Sequence, residues 1–297
     1  MNQYLKQNTR ILSYVGIGVI MMLTLTWLPM PGGYTWVPWI INLATTLMFL
    51  LLVFLTARLA KTDKTGLGVL LTGAFLLLFC PGVEKFFLRD EQGLMELGSQ
   101  CIVPFFIGQY TRIRRKDFHY WYFLMLLMGI FCSYTHNGVT IPLCAAFLWL
   151  SFRHLKGFFR MACWPMVMGF AIGTTLSILF SNESEIRLSM DELLPDTINQ
   201  VSRTTLRVLR TLWDTKVFVI ATILTGYLLY GPKGRKMLLR IARRHYALTV
   251  CAAFSLISMP LAPLGIDNAV HGVCFFCMFW LLFLVKYLAE RYWEKRI

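Results

Sequence analysis

Charge is scarce in this chain, and acidic charge is scarcest. Aspartate and glutamate number 15 in 297 residues and lysine and arginine 29; charged residues make up 15% against 57% hydrophobic. A soluble domain carries nearer a quarter charged residues, so a conventional water-facing surface is excluded. The chain also lacks an inner-side P-loop, a GxGxxG and an HExxH, and with them the phosphate-cradling, dinucleotide and zincin motifs. Low-complexity tracts, internal repeats and any stretch polar enough for a soluble domain are missing too. The first apolar run, 11–30, is too long for a signal-peptide core and has no small-residue cleavage site, so it reads as a first span.

What remains is oily. Mean hydropathy is +0.60, and apolar runs of membrane-spanning length recur along the chain. The reading is all-α: a polytopic transmembrane helix bundle forming one integral membrane domain over 1–297. About ten spans are predicted, at 11–30, 37–57, 66–83, 97–111, 119–134, 138–152, 161–180, 216–231, 246–264 and 270–288.

The net charge of +14 would suggest nucleic acid in a soluble protein. Here it follows topology instead, because lysine and arginine hold loops in the cytoplasm. With both termini cytoplasmic and the spans alternating, every inner segment is basic, from Lys6 and Arg10 to Lys295 and Arg296. Most acidic residues fall outside. The cysteines lie in or beside apolar runs and read as small buried hydrophobes. Cys274-Phe-Phe-Cys277 has no second ligand pair, which argues against zinc.

Four outer-side stretches hold chemistry-bearing residues. Tyr134, His136 and Asn137 precede Gly138 and Pro142, a turn where spans five and six meet. Polar residues satisfying loose helix ends account for it as well as a cavity does. Glu84, Asp90, Glu91 and Glu96 cluster beside Lys85 and Arg89. These carboxylates suit a general base or a divalent cation, although no ligand spacing calls for a metal and no cofactor is implied. A solvated loop is the plain alternative.

The outer segment 182–214 contains the third stretch. At 100° per residue Arg203, Arg207 and Arg210 form a narrow stripe, with Ile198, Val201, Leu206, Val208, Leu209, Leu212 and Trp213 spread over the opposite face. This predicts an amphipathic helix in the interface plane. Its arginines suit the phosphate of a lipid-linked sugar, or simple anchoring to lipid head groups. In the fourth stretch Pro260, Pro263 and Gly265 break the chain before Asp267, Asn268 and His271 open span ten. Helix capping explains Asp267 but not His271, a turn deeper.

The turn Tyr134-Thr-His-Asn-Gly138, together with the proline break and polar helix start from Pro260 to His271, resembles bacterial polytopic membrane proteins grouped with the GT-C-type glycosyltransferases and surface-polysaccharide biosynthesis proteins, over about 31–290. The resemblance implies sugar transfer or polymerisation from a polyprenyl-phosphate-linked donor at the outer face of the inner membrane. It implies His136, Asp90, Glu91 or Asp267 as the group that deprotonates an acceptor hydroxyl. Substrate would be held by Asn137, Arg203, Arg207, Arg210, Asn268 and His271. One departure stands out: GT-C enzymes generally carry an acidic residue in the first outer loop, and Met30–Trp36 has none. A transporter or flippase for a glycolipid or small anion is the alternative, expected to show midplane charges and repeat symmetry. A non-catalytic assembly subunit is a third.

Overall fold

The computed structural model describes residues 2–27, 37–79, 91–110, 123–127, 129–130, 142–143, 145–146, 148–150, 164–165, 167–173, 175–176, 197–257 and 266–294. Among these the regular structure is α-helical, with no strand. The principal helices are α1 (Asn2–Trp27), α2 (Val37–Ala60), α3 (Gly66–Phe79), α4 (Glu91–Tyr110), α5 (Thr197–Trp213), α6 (Lys216–Tyr230), α7 (Pro232–Arg244), α8 (Tyr246–Ile257) and α9 (Ile266–Glu294).

Three stretches are long and apolar enough to cross a membrane: Gln7–Thr26, Trp39–Ala60 and Val270–Glu290. A fourth arises if Thr205–Trp213 and Lys216–Tyr230, bent by 85°, count as one. Gly66–Phe79 and Tyr246–Ile257 are apolar but shorter. The expected spans 119–134, 138–152 and 161–180 are described only in short pieces. Helix α4 begins at Glu91 rather than near 97. Glu91 and Glu96 therefore belong to a helix and not to a loop.

The helices pack into two units, Met1–Arg112 with Val285–Ile297, and Ile113–Leu284. In the first, α2 lies along α4 and beside α1, and α1 lies along α3. The α1 seam is the i, i+4 stripe Ser13, Ile17, Met21 and Leu25, all buried. It meets glycines on α3: a Cβ on Gly66 would stand 2.8 Å from Ser13 Oγ, and one on Gly73 2.7 Å from Ile17 Cδ1. Small residues one face apart let two apolar helices approach closely, as is usual between helices in lipid.

This unit is inverted relative to a protein in water. Its buried seam holds Ser13, Asn42, Thr45, Thr46, Thr56 and Thr72, while Val19, Leu23, Leu43, Leu47, Leu67 and Leu71 face outward. Several buried hydroxyls bond back to their own helix: Thr46 Oγ1 donates to the Asn42 carbonyl at 2.8 Å and Thr72 Oγ1 to that of Gly68 at 2.8 Å. Apolar residues outside and polar groups between helices suit a hydrocarbon solvent, in which exposed leucine costs nothing. Helix α2 ends in a left-handed residue, Lys61 at φ 60. Around it Thr62 N–H donates to the Ala57 carbonyl at 2.8 Å and Lys61 N–H to that of Arg58 at 3.1 Å, closing a Schellman cap. The Lys286 ammonium donates to the Ala60 carbonyl and pairs with Glu290 at 3.6 Å.

In the second unit α5, α6 and α7 follow one another with short breaks and are fastened to α9. Val208 and Leu212 of α5 pack with Val270, Val273 and Cys274, and Phe218 and Cys277 flank them. Trp280 Nε1 donates to Thr225 Oγ1 at 3.0 Å. The pairs Thr215–Cys274 and Thr225–Trp280 advance in the same sense, so α6 and α9 run parallel. Trp149 closes on α8, its Nε1 donating to the Tyr246 hydroxyl at 3.3 Å.

Candidate functional site

Apart from Glu91, the described candidate residues lie on α5 and at the start of α9. The corner between α5 and α6 is local chemistry. Thr215 adopts an extended conformation (φ −89, ψ 123) that stops α5 and starts α6. Its Oγ1 donates to the Leu212 carbonyl at 2.5 Å, and Asp214 N–H donates to the Arg210 carbonyl at 3.2 Å. Two loose carbonyls of the α5 end are thereby satisfied. On the other side Thr215 Oγ1 accepts the Cys274 thiol at 3.5 Å, tying the bend to α9.

Helix α5 is amphipathic as expected, but its apolar face is divided. Val208 and Leu212 are buried against α9, while Leu206, Leu209 and Trp213 are exposed, Trp213 by 63%. Within the apolar spread expected away from the arginines, the structure thus separates a buried edge from a bare apolar flank. The cause is that one neighbour, α9, covers only a narrow strip of so slender a helix.

Arg203, Arg207 and Arg210 are all exposed. Their stripe lies roughly opposite Val208 and Leu212 at 100° per residue, so the guanidinium groups face away from α9. Like charges three and four residues apart repel by about 0.2–0.5 kcal/mol a pair. No carboxylate lies within α5 itself, and Asp214 follows one turn beyond Arg210. The result is an arginine-striped helix with a bare apolar flank, bent by 85° from an apolar one.

Asp267, Asn268 and His271 occupy the first turns of α9, directly before and within the segment that α5 covers. Asp267 and His271 stand one turn apart. His271 is partly buried. The fold thus brings the arginine helix and the α9 start together, but places the arginines and His271 on different sides of α5. Glu91 opens α4 in the other unit. His136, Asn137 and Asp90 lie outside the described residues. Among the described residues no three His, Cys, Asp or Glu side chains converge as metal ligands.

Sequence reasoning missed α7. The basic run from Lys233 to Arg244 was expected to be an inner loop, yet it forms a helix of 13 residues. The signals were present: Pro232 at its first position and Met237, Leu238 and Ile241 at helical spacing, all three buried. Compared with protein-family models, curated proteins and solved structures, the chain matches none.

Proposed function

We propose that this chain is a multi-pass protein of the inner membrane, with about ten spans and both termini cytoplasmic. It transfers or polymerises sugar from a polyprenyl-phosphate-linked donor at the outer face, for surface polysaccharide or glycan assembly. The observation that carries the reading is the corner: an arginine-striped helix bent by 85° from an apolar one, with its three guanidinium groups exposed and unpaired by any carboxylate of its own. Flat in the outer interface, it sets a phosphate-binding edge at head-group depth.

In this reading Arg203, Arg207 and Arg210 dock the lipid phosphate and neutralise the charge that grows on it as the sugar departs. Asn137, Asn268 and His271 hold sugar hydroxyls. Asp267 at the α9 start, or His136, Asp90 or Glu91, takes the proton from the acceptor hydroxyl. The arginines face away from α9, so they act on the donor's phosphate and not on the hydroxyls that His271 would hold.

The test compares lipid-linked and surface glycans from a host lacking the gene, complemented with wild type, His136→Ala, Asp267→Asn or the triple Arg203/Arg207/Arg210→Ala variant at matched membrane abundance. Altered glycans in the deletion strain, restored by wild type and not by the variants, support the reading. Unchanged glycans in every strain reject it. The bend between α5 and α6 also favours a second reading, a glycolipid flippase, since broken helices line translocation paths. That reading predicts lipid-linked sugar of normal structure retained on the inner leaflet.

A further inference from the structure

We infer that α7 is a docking surface for the phosphate head groups of anionic phospholipids, at the end of α6 opposite the arginine helix. The inference concerns a different helix from the proposed sugar-transfer site and stands without it; only the assignment to the cytoplasmic leaflet rests on that reading.

Charge comes first. At 100° per residue Lys233, Lys236, Arg240, Arg243 and Arg244 fall within about 100° of the helix circumference, and all five are exposed. The helix PKGRKMLLRIARR contains no acidic residue. The adjoining face buries Met237, Leu238 and Ile241. Charge that merely holds a loop in the cytoplasm needs number and no face. Here five of the six cations are sorted onto one face of a folded helix, Arg235 alone standing off it, and a sorted face is what binding to a charged plane requires.

Position comes second. A single residue, Gly231, joins α6 to α7. The last turns of the apolar α6 expose Tyr227 by 76% and Tyr230 by 90%, next to Ile223 and Leu229. Bare tyrosines at the end of an apolar helix mark the level where hydrocarbon gives way to head groups. The basic face begins at that level, and a juxtamembrane basic cluster is the form that recognises anionic lipid.

Fixation comes third. Arg235 Nε donates to the Leu229 carbonyl at 2.6 Å, capping the end of α6. Gly234 lies against the Leu228 backbone with no room for a side chain. At the far end His245 N–H donates to the Ile241 carbonyl at 2.9 Å, and the His245 ring stacks on Phe283 of α9 at 3.9 Å. Held at both ends, the stripe cannot roll inward, so little ordering remains to be done when lipid binds.

The test uses the full chain in nanodiscs of phosphatidylglycerol and phosphatidylcholine, with retained lipid counted by native mass spectrometry after release into detergent. Each cation near an anionic surface strengthens binding roughly five-fold, so Lys236→Gln/Arg240→Gln/Arg243→Gln should lower the phosphatidylglycerol preference at least about tenfold. The charge-keeping Lys236→Arg/Arg240→Lys/Arg243→Lys should retain it, and added salt should weaken wild type more than the glutamine variant. Size-exclusion profile and helical circular dichroism confirm that each variant is folded. An unchanged preference in a folded glutamine variant overturns the inference, as does equal loss in the charge-keeping variant. Neither result depends on glycan transfer, so failure here and failure of the proposed function are told apart.

Discussion

Replacing Gly226 and Gly234 by alanine, one at a time, probes the α6–α7 corner through effects of opposite sign. Gly226 sits inside α6 on an exposed face, and a Cβ added there would meet nothing within 4 Å. Alanine should therefore stabilise by about 0.5–1 kcal/mol, the ordinary helix preference. Gly234, in the first turn of α7, has the same preference to gain. Its added Cβ, however, would overlap the Leu228 carbonyl oxygen and stand 2.8 Å from that carbonyl carbon and 3.0 Å from Leu228 Cα. All three atoms are backbone, so no rotamer change relieves the clash and α7 must shift against α6. Overpacking of this kind costs about 1–3 kcal/mol, and the shift also pulls Arg235 from the Leu229 carbonyl. Repulsion exceeds propensity, and the net expectation is destabilisation by about 1–2 kcal/mol. The two variants should differ by about 2–3 kcal/mol, or roughly 5 °C or more in Tm at soluble-domain sensitivities. Tryptophan fluorescence of the full chain in detergent, followed through a thermal ramp, measures it. A Gly234→Ala protein as stable as Gly226→Ala would refute the packing described at this corner.

Three further substitutions are informative. Lys61→Gly removes a side chain from a left-handed residue whose two cap hydrogen bonds stay in place; Tm should rise by the equivalent of about 1 kcal/mol, and a fall would show that Lys61 contributes more than backbone shape. Asn42 is 1% exposed, and its amide oxygen and nitrogen find no hydrogen-bond partner among the described residues. Asn42→Leu, similar in outline, should stabilise by about 1–3 kcal/mol, whereas lost stability together with lost glycan phenotype would make the amide part of a binding site. Thr225→Val removes the acceptor of Trp280 Nε1 and should cost only about 0.6 kcal/mol, the mean for such bonds between helices in lipid; a cost several times larger would mean that α6 depends on this one bond for its place.

Much of the helical plan was legible because hydropathy is a strong, local signal. Helices α2 and α9 begin within a few residues of where their apolar runs do. Helix α1 extends back to Asn2, through Lys6 and Arg10, since polar residues prolong a helix without adding to a hydropathy window. The arginine stripe of α5 was legible from spacing alone. Which apolar residues it buries was not, because that depends on α9, some sixty residues later in the chain. Helix α7 was hidden by a sufficient explanation: the positive-inside rule accounts for Lys233 to Arg244 without asking whether they fold. The polar seam of Ser13, Asn42, Thr56 and Thr72 was likewise invisible, since sequence does not say which face of a uniformly apolar helix meets its neighbour.

The fastening of α5, α6 and α7 to α9 has a consequence for the bilayer itself. The α5–α6 corner is tied at Cys274 and the end of α7 at Phe283, levels only about 14 Å apart along the α9 axis. The 15 residues of α6 span about 22 Å between the two basic helices, against roughly 30 Å for an ordinary hydrocarbon core. If both basic helices lie at head-group depth, as the proposed topology has them, the slab beside α6 is thinner than relaxed acyl chains and the lipid dimples inward to meet the protein there. Short-chain lipids should therefore raise the chain's Tm and long-chain lipids lower it, while a flat response across chain lengths would contradict the mismatch. A membrane dimpled in this way would shorten the climb of any head group that passes beside the protein.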